Sequence, residues 1–141
     1  MARRGIKALA GGPTELPPLD AHESLAGMTN AGGCFVVAPG EGRLIDLGEF
    51  ELRVEADAGT TCGVVSVLEA TEPPGFGPPI HIHDDAAEAF YVLEVEYVMN
   101  LDGDERSCPA GTLIFVPEGV PHGFRVGAVP SRKLNFCFPQ R

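Results

Sequence analysis

From Cys34 onward, apolar and polar positions alternate in short runs that turn residues interrupt every few positions. Cys34-Phe-Val-Val-Ala38 reads as a strand, followed by Arg43 to Asp46 and Glu49 to Val54 on either side of Gly48. Thr60 to Ala70 is longer and rich in β-branched residues, which suit a pleated, half-buried surface. The breaker Pro73-Pro-Gly-Phe-Gly-Pro-Pro79 then separates it from Glu88 to Leu101, the longest strand-like stretch. Asp102-Gly103 predicts a two-residue hairpin, because both positions tolerate positive φ, with Asp104 to Cys108 as the return strand. Pro109-Ala-Gly111 and Pro117-Glu-Gly119 turn the chain into Thr112 to Val116 and then His122 to Val126, and Arg132 to Phe138 closes it. No stretch carries helical periodicity, so the pattern predicts an all-β sandwich or barrel.

The first 30 residues behave differently. Gly11-Gly12-Pro13 and Pro17-Pro18 break the chain and no period is sustained. The expectation is a poorly ordered N-terminal arm over residues 1–30, with part of it pairing against a partner subunit, ahead of one barrel domain over 31–141.

Composition narrows the function classes. The chain has 141 residues, 44% of them apolar, enough for one ordinary core. Its formal net charge of −10 repels polyphosphates, so no nucleic-acid partner is expected. No apolar run is long enough to span a bilayer, and the basic N-terminal stretch is too broken by glycine for a secretory signal, so a cytoplasmic protein with no membrane partner is expected. Cys34, Cys62, Cys108 and Cys137 are widely spaced with no Cys-x-x-Cys pair, which leaves a zinc ribbon or redox dithiol unsupported; they read as small packed hydrophobes.

The chemistry is concentrated in the histidines. Three of the four fall in two short segments beside Gly/Pro turns: Gly75-Phe-Gly-Pro-Pro-Ile-His81-Ile-His83-Asp-Asp-Ala-Ala-Glu88, and Gly111-Thr-Leu-Ile-Phe-Val-Pro117-Glu-Gly119-Val-Pro-His122. Two residues apart on a strand, His81 and His83 project to one face. Glu88 opens the next strand after a short turn, and His122 enters from a third. Three imidazoles and one carboxylate suit Fe(II), Mn(II), Ni(II), Cu(II) or Zn(II), and four protein ligands leave two positions of an octahedral ion open.

These segments resemble the cupin superfamily. Its first motif, Gly-x5-His-x-His-x3–4-Glu-x6-Gly, is matched at Gly75, His81, His83 and Glu88; its second, Gly-x5-Pro-x-Gly-x2-His-x3-Asn, at Gly111, Pro117, Gly119 and His122. Val95 and Val126 stand where the motifs end in Gly and Asn. Loss of the glycine removes a bulge or a close backbone approach; loss of the asparagine makes its surroundings drier. The resemblance covers about residues 34–138. It implies a double-stranded β-helix (jelly-roll) barrel, a single divalent transition metal held by His81, His83, Glu88 and His122, and a homodimer. The stretches Pro73-Pro74-Gly75, Pro78-Pro79-Ile-His-Ile-His83 and Glu88-Ala-Phe-Tyr-Val-Leu93 are most similar to quercetin-dioxygenase-like single cupins.

Strand alternation from Glu88 and His122 places Phe90, Val92 and Phe124 inside, with Met99, Phe115 and Phe136 as further candidates for a substrate pocket. Tyr91 and Tyr97 fall in the opposite register and are expected to face away. Glu94 and Glu96 share the register of Glu88, so either the strand slips near Val95 or the two reach a rim. Asp84 and Asp85 shape the turn between ligands or orient a histidine. The resemblance implies a metal-dependent dioxygenase acting on a small enol, catechol or flavonol-like compound, with Glu88 taking the substrate proton. A Lewis-acid isomerase, epimerase or cyclase, or a non-catalytic ligand-binding module, are the alternatives.

Overall fold

The computed structural model describes residues 7–8 and 33–140. Among them no helix forms, and two antiparallel sheets face each other. The strands are β1 (Lys7–Ala8), β2 (Arg43–Asp46), β3 (Glu51–Ala56), β4 (Ser66–Glu72), β5 (His81–Ile82), β6 (Ala86–Glu94), β7 (Glu96–Leu101), β8 (Asp104–Pro109), β9 (Leu113–Val116), β10 (His122–Val126) and β11 (Ser131–Pro139). One sheet runs β1-β5-β10-β7-β8 and the other β2-β3-β4-β11-β6-β9. Consecutive strands that cross between the sheets give the jelly-roll barrel. Apart from Lys7–Ala8, which pairs with β5 of its own chain, the arm expected over residues 1–30 lies outside the described residues. None of the described residues forms a helix long and apolar enough to cross a membrane.

The core lies between the sheets. Phe90 and Val92 of β6 and Ile114 and Val116 of β9 meet Tyr97 and Met99 of β7, Cys108 of β8 and Val126 of β10. Alternation decides which residues take part: along β9, Ile114 and Val116 are buried while Leu113 and Phe115 are exposed.

Four local expectations are corrected. Cys34 to Ala38 forms no strand beyond a single bridge at Phe35. The start of Thr60 to Ala70 is a turn, because Asp57 and Thr60 exchange side-chain and backbone hydrogen bonds (Thr60 N–H to Asp57 Oδ1 at 2.9 Å, Asp57 N–H to Thr60 Oγ1 at 3.0 Å), an arrangement that competes with a sheet ladder. Cys62 sits in that turn with φ +53°, and both it and Cys34 are exposed rather than packed. Finally, Glu88 to Leu101 is two strands, since the chain bends at Val95.

That bend resolves the register question. Arg132 pairs with Glu94 but Lys133 with Val92, so Leu93 is an extra residue on β6, and Val95 follows at φ +64°. The bulge therefore persists without the glycine of the motif. Glu94 turns outward to Arg132 (2.9 Å), and Glu96 accepts a hydrogen bond from the Ser107 hydroxyl. The same slip inverts the parity of β7 and carries Tyr97, expected to face away, into the core with no exposed surface. Asp102 and Gly103 both take positive φ, as the hairpin requires.

Candidate metal centre

β5 lies beside β10 with His81 directly opposite His122. The two rings are 4.5 Å apart, and the ring of His83 lies 5.1 Å from His81 and 5.4 Å from His122. Glu88 reaches them from the facing sheet, on the inward side of β6. Its Oε2 is 2.8 Å from His122 Nε2 and its Oε1 is 3.1 Å from His83 Nε2. The two motif segments are tied by the Gly119 N–H, which donates to the His83 carbonyl at 2.7 Å. Gly119 has φ +79°, a conformation a side chain resists, and it is this turn that starts the chain toward His122. Gly77 allows another approach: a Cβ there would collide with the Phe124 carbonyl.

The hydrogen bonds fix which nitrogen each ring offers. His81 Nδ1 lies 2.8 Å from the Pro79 carbonyl and His122 Nδ1 lies 2.8 Å from the Val120 carbonyl. A carbonyl only accepts, so both Nδ1 atoms carry hydrogen, and a neutral ring then presents a bare Nε2 lone pair inward. That lone pair on His122 faces a carboxylate oxygen at 2.8 Å, an arrangement that repels unless a proton or a cation lies between them. His83 Nε2 is close enough to Glu88 for an ion-pair contact but out of line for a hydrogen bond, and it is buried without a partner. One ligand atom from each of the four residues lies within 4.8 Å of the others. Donors about 2.0–2.2 Å from a shared ion are at most about 4.4 Å apart, so the four need only a slight contraction to hold one. The donor set fits a divalent transition metal.

Electrostatics agree. Burial pushes the Glu88 carboxyl up, but the close contacts and charge of His122 and His83 outweigh it and hold the group at about 2. Burial lowers His122, yet its bond to Glu88 leaves it above its ordinary value. Burial dominates at His81 and lowers it.

Residues 68–130 match the cupin domain family. The chain carries a cupin domain. Quercetin 2,3-dioxygenase from Bacillus subtilis is 28% identical over 105 residues, covering 74% of this chain and 31% of the relative. An uncharacterized protein from Methanocaldococcus jannaschii is 32% identical over 75 residues, covering 52% of this chain and 60% of its own. The chain thus spans about a third and three fifths of the lengths of these two relatives. Among solved structures, KdgF from Halomonas sp. superposes with a TM-score of 0.67 at 16% identity, over 77% of this chain and 96% of that one. The polyketide cyclase RemF from Streptomyces resistomycificus gives 0.64 at 23% identity, over 77% of this chain and 80% of its own. These likenesses show the fold.

The remaining pocket candidates divide by face. Phe90 and Phe124 point inward, their ring centroids 6.4 Å apart, and Phe90 lies 6.4 Å from the His122 ring. Val92 and Met99 also face inward and, like Phe90, are closed into the core, whereas Phe124 is only partly buried. Phe115 and Phe136 do not face the histidines. Phe115 is 60% exposed and lines a groove of about 500 Å³ with Arg106 of β8 and Leu113 of β9, away from the candidate ligands. Phe136 pairs with Ala89 in the outward register and stacks on Phe138. Which face β11 turns inward depends on its pairing with β6, so sequence alternation anchored at Glu88 does not reach it. For the same reason sequence analysis missed the residues that β11 does turn inward, Lys133, Asn135 and Cys137.

Proposed function

We propose that His81, His83, Glu88 and His122 hold one divalent transition metal (Fe, Mn, Ni, Cu or Zn) and that the protein is a dioxygenase-type enzyme acting on a small enol, catechol or flavonol-like compound. The observation that carries this is the pairing of a bare imidazole lone pair with a carboxylate oxygen across 2.8 Å, beside a second buried nitrogen without a hydrogen bond. A bound divalent ion would supply Lewis acidity toward an enolic or phenolic oxygen and leave open positions beside it. The chain's own residues do the rest. The Pro79 and Val120 carbonyls orient His81 and His122. Phe124, only partly buried and backed by the core ring of Phe90, provides a flat apolar wall for a planar compound. Glu88, ionised throughout the neutral range, offers a carboxylate oxygen to the hydroxyl proton of the substrate. The similarity to quercetin 2,3-dioxygenase supports the substrate class.

Phosphosugar isomerisation, which needs free cationic side chains at the site, is disfavoured: Arg125 is exposed on β10 and bound to Glu105 at 2.5 Å, and Lys133 is buried and bound to Glu72 at 2.6 Å. Oxygen uptake by protein loaded anaerobically with Fe(II) or Ni(II), across flavonols and β-diketones, tests the proposal. Turnover that needs no oxygen would instead support a Lewis-acid isomerase or cyclase, and retention without turnover a binding module.

A homodimer is part of the proposal. The outer face of β11, β6 and β9 exposes Phe138, Tyr91, Leu113 and Phe115, a contiguous apolar surface of the kind an isologous interface covers. Sedimentation equilibrium reads it directly, and a monomer at micromolar concentration would end it.

A further inference from the structure

β11 is hydrogen-bonded on both sides, to β4 and β6, so a residue facing inward from it meets solvent only through the lumen of the barrel. Its inward residues are Cys137, opposite Glu88; Asn135, opposite Phe90; and Lys133, opposite Val92. Exposure falls along this line. Cys137 and Asn135 are half-buried, as are Ser66 and Leu68 beside them on β4, whereas Lys133, Val92 and Ala70 are closed off. The barrel interior is therefore less tightly closed at the level of Glu88 and Asn135 than at Lys133, whose ammonium lies 4.2 Å over the Phe124 ring.

At that less tightly closed level Asn135 Oδ1 is buried and has no hydrogen-bond partner among the described residues. An amide offers one acceptor and two donors, and an unmet one inside a protein is costly. Asn135 is also diagonal to Glu88 across the β6–β11 pair, a separation of about 7–8 Å between Cα atoms. Phe90 stands beside Asn135 on β6, and Phe124 lies on the facing sheet with its ring centroid 6.4 Å from that of Phe90. The β11 side thus offers polar recognition at a fixed offset from the candidate ligands, and the facing sheet offers flat apolar contact through Phe124.

We propose that Asn135 is a specificity-determining residue that hydrogen-bonds a second oxygen function, a hydroxyl lying beyond the metal-binding oxygens of a planar enolic compound. This rests on the metal-centre reading of the preceding subsection. The substrate class is narrowed accordingly: a compound with an enol–carbonyl pair at one end and a hydroxyl at the other.

The test uses the full chain loaded with Zn(II), which is redox-inert, so that binding is read without turnover. Kojic acid and allomaltol present the same enol–carbonyl pair and differ by one distal hydroxyl. Calorimetric titration should show kojic acid binding wild-type protein about tenfold more tightly than allomaltol. Asn135→Leu should bind both alike, with zinc content and allomaltol affinity unchanged. A purely structural asparagine would not produce that contrast. If Asn135→Leu fails to fold, Asn135→Ser takes its place and should shrink the preference severalfold. Equal binding of the two compounds by wild type, or a preference that survives substitution, overturns the inference. Failure of both compounds to bind zinc-loaded protein, or of the protein to take up zinc, overturns the metal-centre reading and this inference with it.

Discussion

Lys133 Nζ lies 2.6 Å from Glu72 Oε1 inside the barrel, and neither residue reaches solvent. Burial pushes the Glu72 carboxyl up and the Lys133 amine down, and their mutual attraction opposes both shifts. The rings of Phe124, Tyr97 and Phe90 surround the ammonium at 4.2, 5.2 and 5.5 Å. A buried pair adds little over an apolar pair of the same size, but removing one partner strands the other's charge. Lys133→Met should therefore destabilise the protein by about 3–5 kcal/mol. Adding Glu72→Leu should recover most of that loss. Urea denaturation of both single variants and the double variant completes the cycle, and additive losses would show that the pair is not coupled.

Val95 bears a strained backbone. A β-branched residue at φ +64° costs about 1–2 kcal/mol, and its side chain is exposed, so little packing offsets the strain. Val95→Gly restores the residue type of the family motif and should raise stability by about 1 kcal/mol. A lower melting temperature for the variant would mean that the valine makes contacts whose loss outweighs the strain.

The metal-free centre should show its own pH signature. Glu88 is held at about 2 against an ordinary 4.5, so its contribution to stability is complete above about 4.5 and lost as pH falls toward 2. His122 is raised above its ordinary 6.5, so its contribution is complete below 6.5 and lost as pH rises through its folded value. The difference in melting temperature between metal-free wild type and Glu88→Gln should peak between about 4.5 and 6.5. A difference that grew steadily above neutrality would contradict this pairing.

Metal uptake runs the opposite way. The ion must displace the proton from His122, so affinity should weaken as pH drops below the raised value of that residue, as read by competition with a chromophoric chelator. His122→Gln or Glu88→Gln should each lower affinity by more than the 10–100-fold typical of losing an outer hydrogen-bond partner. Removing the ion with a chelator should leave the sheets intact, because the core of Phe90, Val92, Tyr97 and Met99 packs without it. Far-ultraviolet circular dichroism before and after chelation checks this.

Much of the fold was legible because strand alternation and turn residues are local signals. Asp102-Gly103, the strand from His122 to Val126, and the absence of helix among the described residues follow from a few neighbouring residues each. The candidate ligands were legible for a related reason: two short segments fix their own geometry, through the His81/His83 spacing and the turn at Gly119. The errors fell where a non-local pairing or a single backbone torsion overrides the pattern. The slip at Leu93 and Val95 reversed Tyr97, and pairing with β6 turned Phe136 outward.

By itself the sequence determined an all-β chain and the chemical types that could gather into a cation site, since side-chain identity and period-2 alternation need no distant partner. Tertiary structure alone decided which lone pairs face each other, which wall of the lumen is polar, and that Lys133 meets Glu72 in the interior. Those outcomes depend on the register between strands far apart in the chain, and a shift of one residue in that register sends every side chain to the other face.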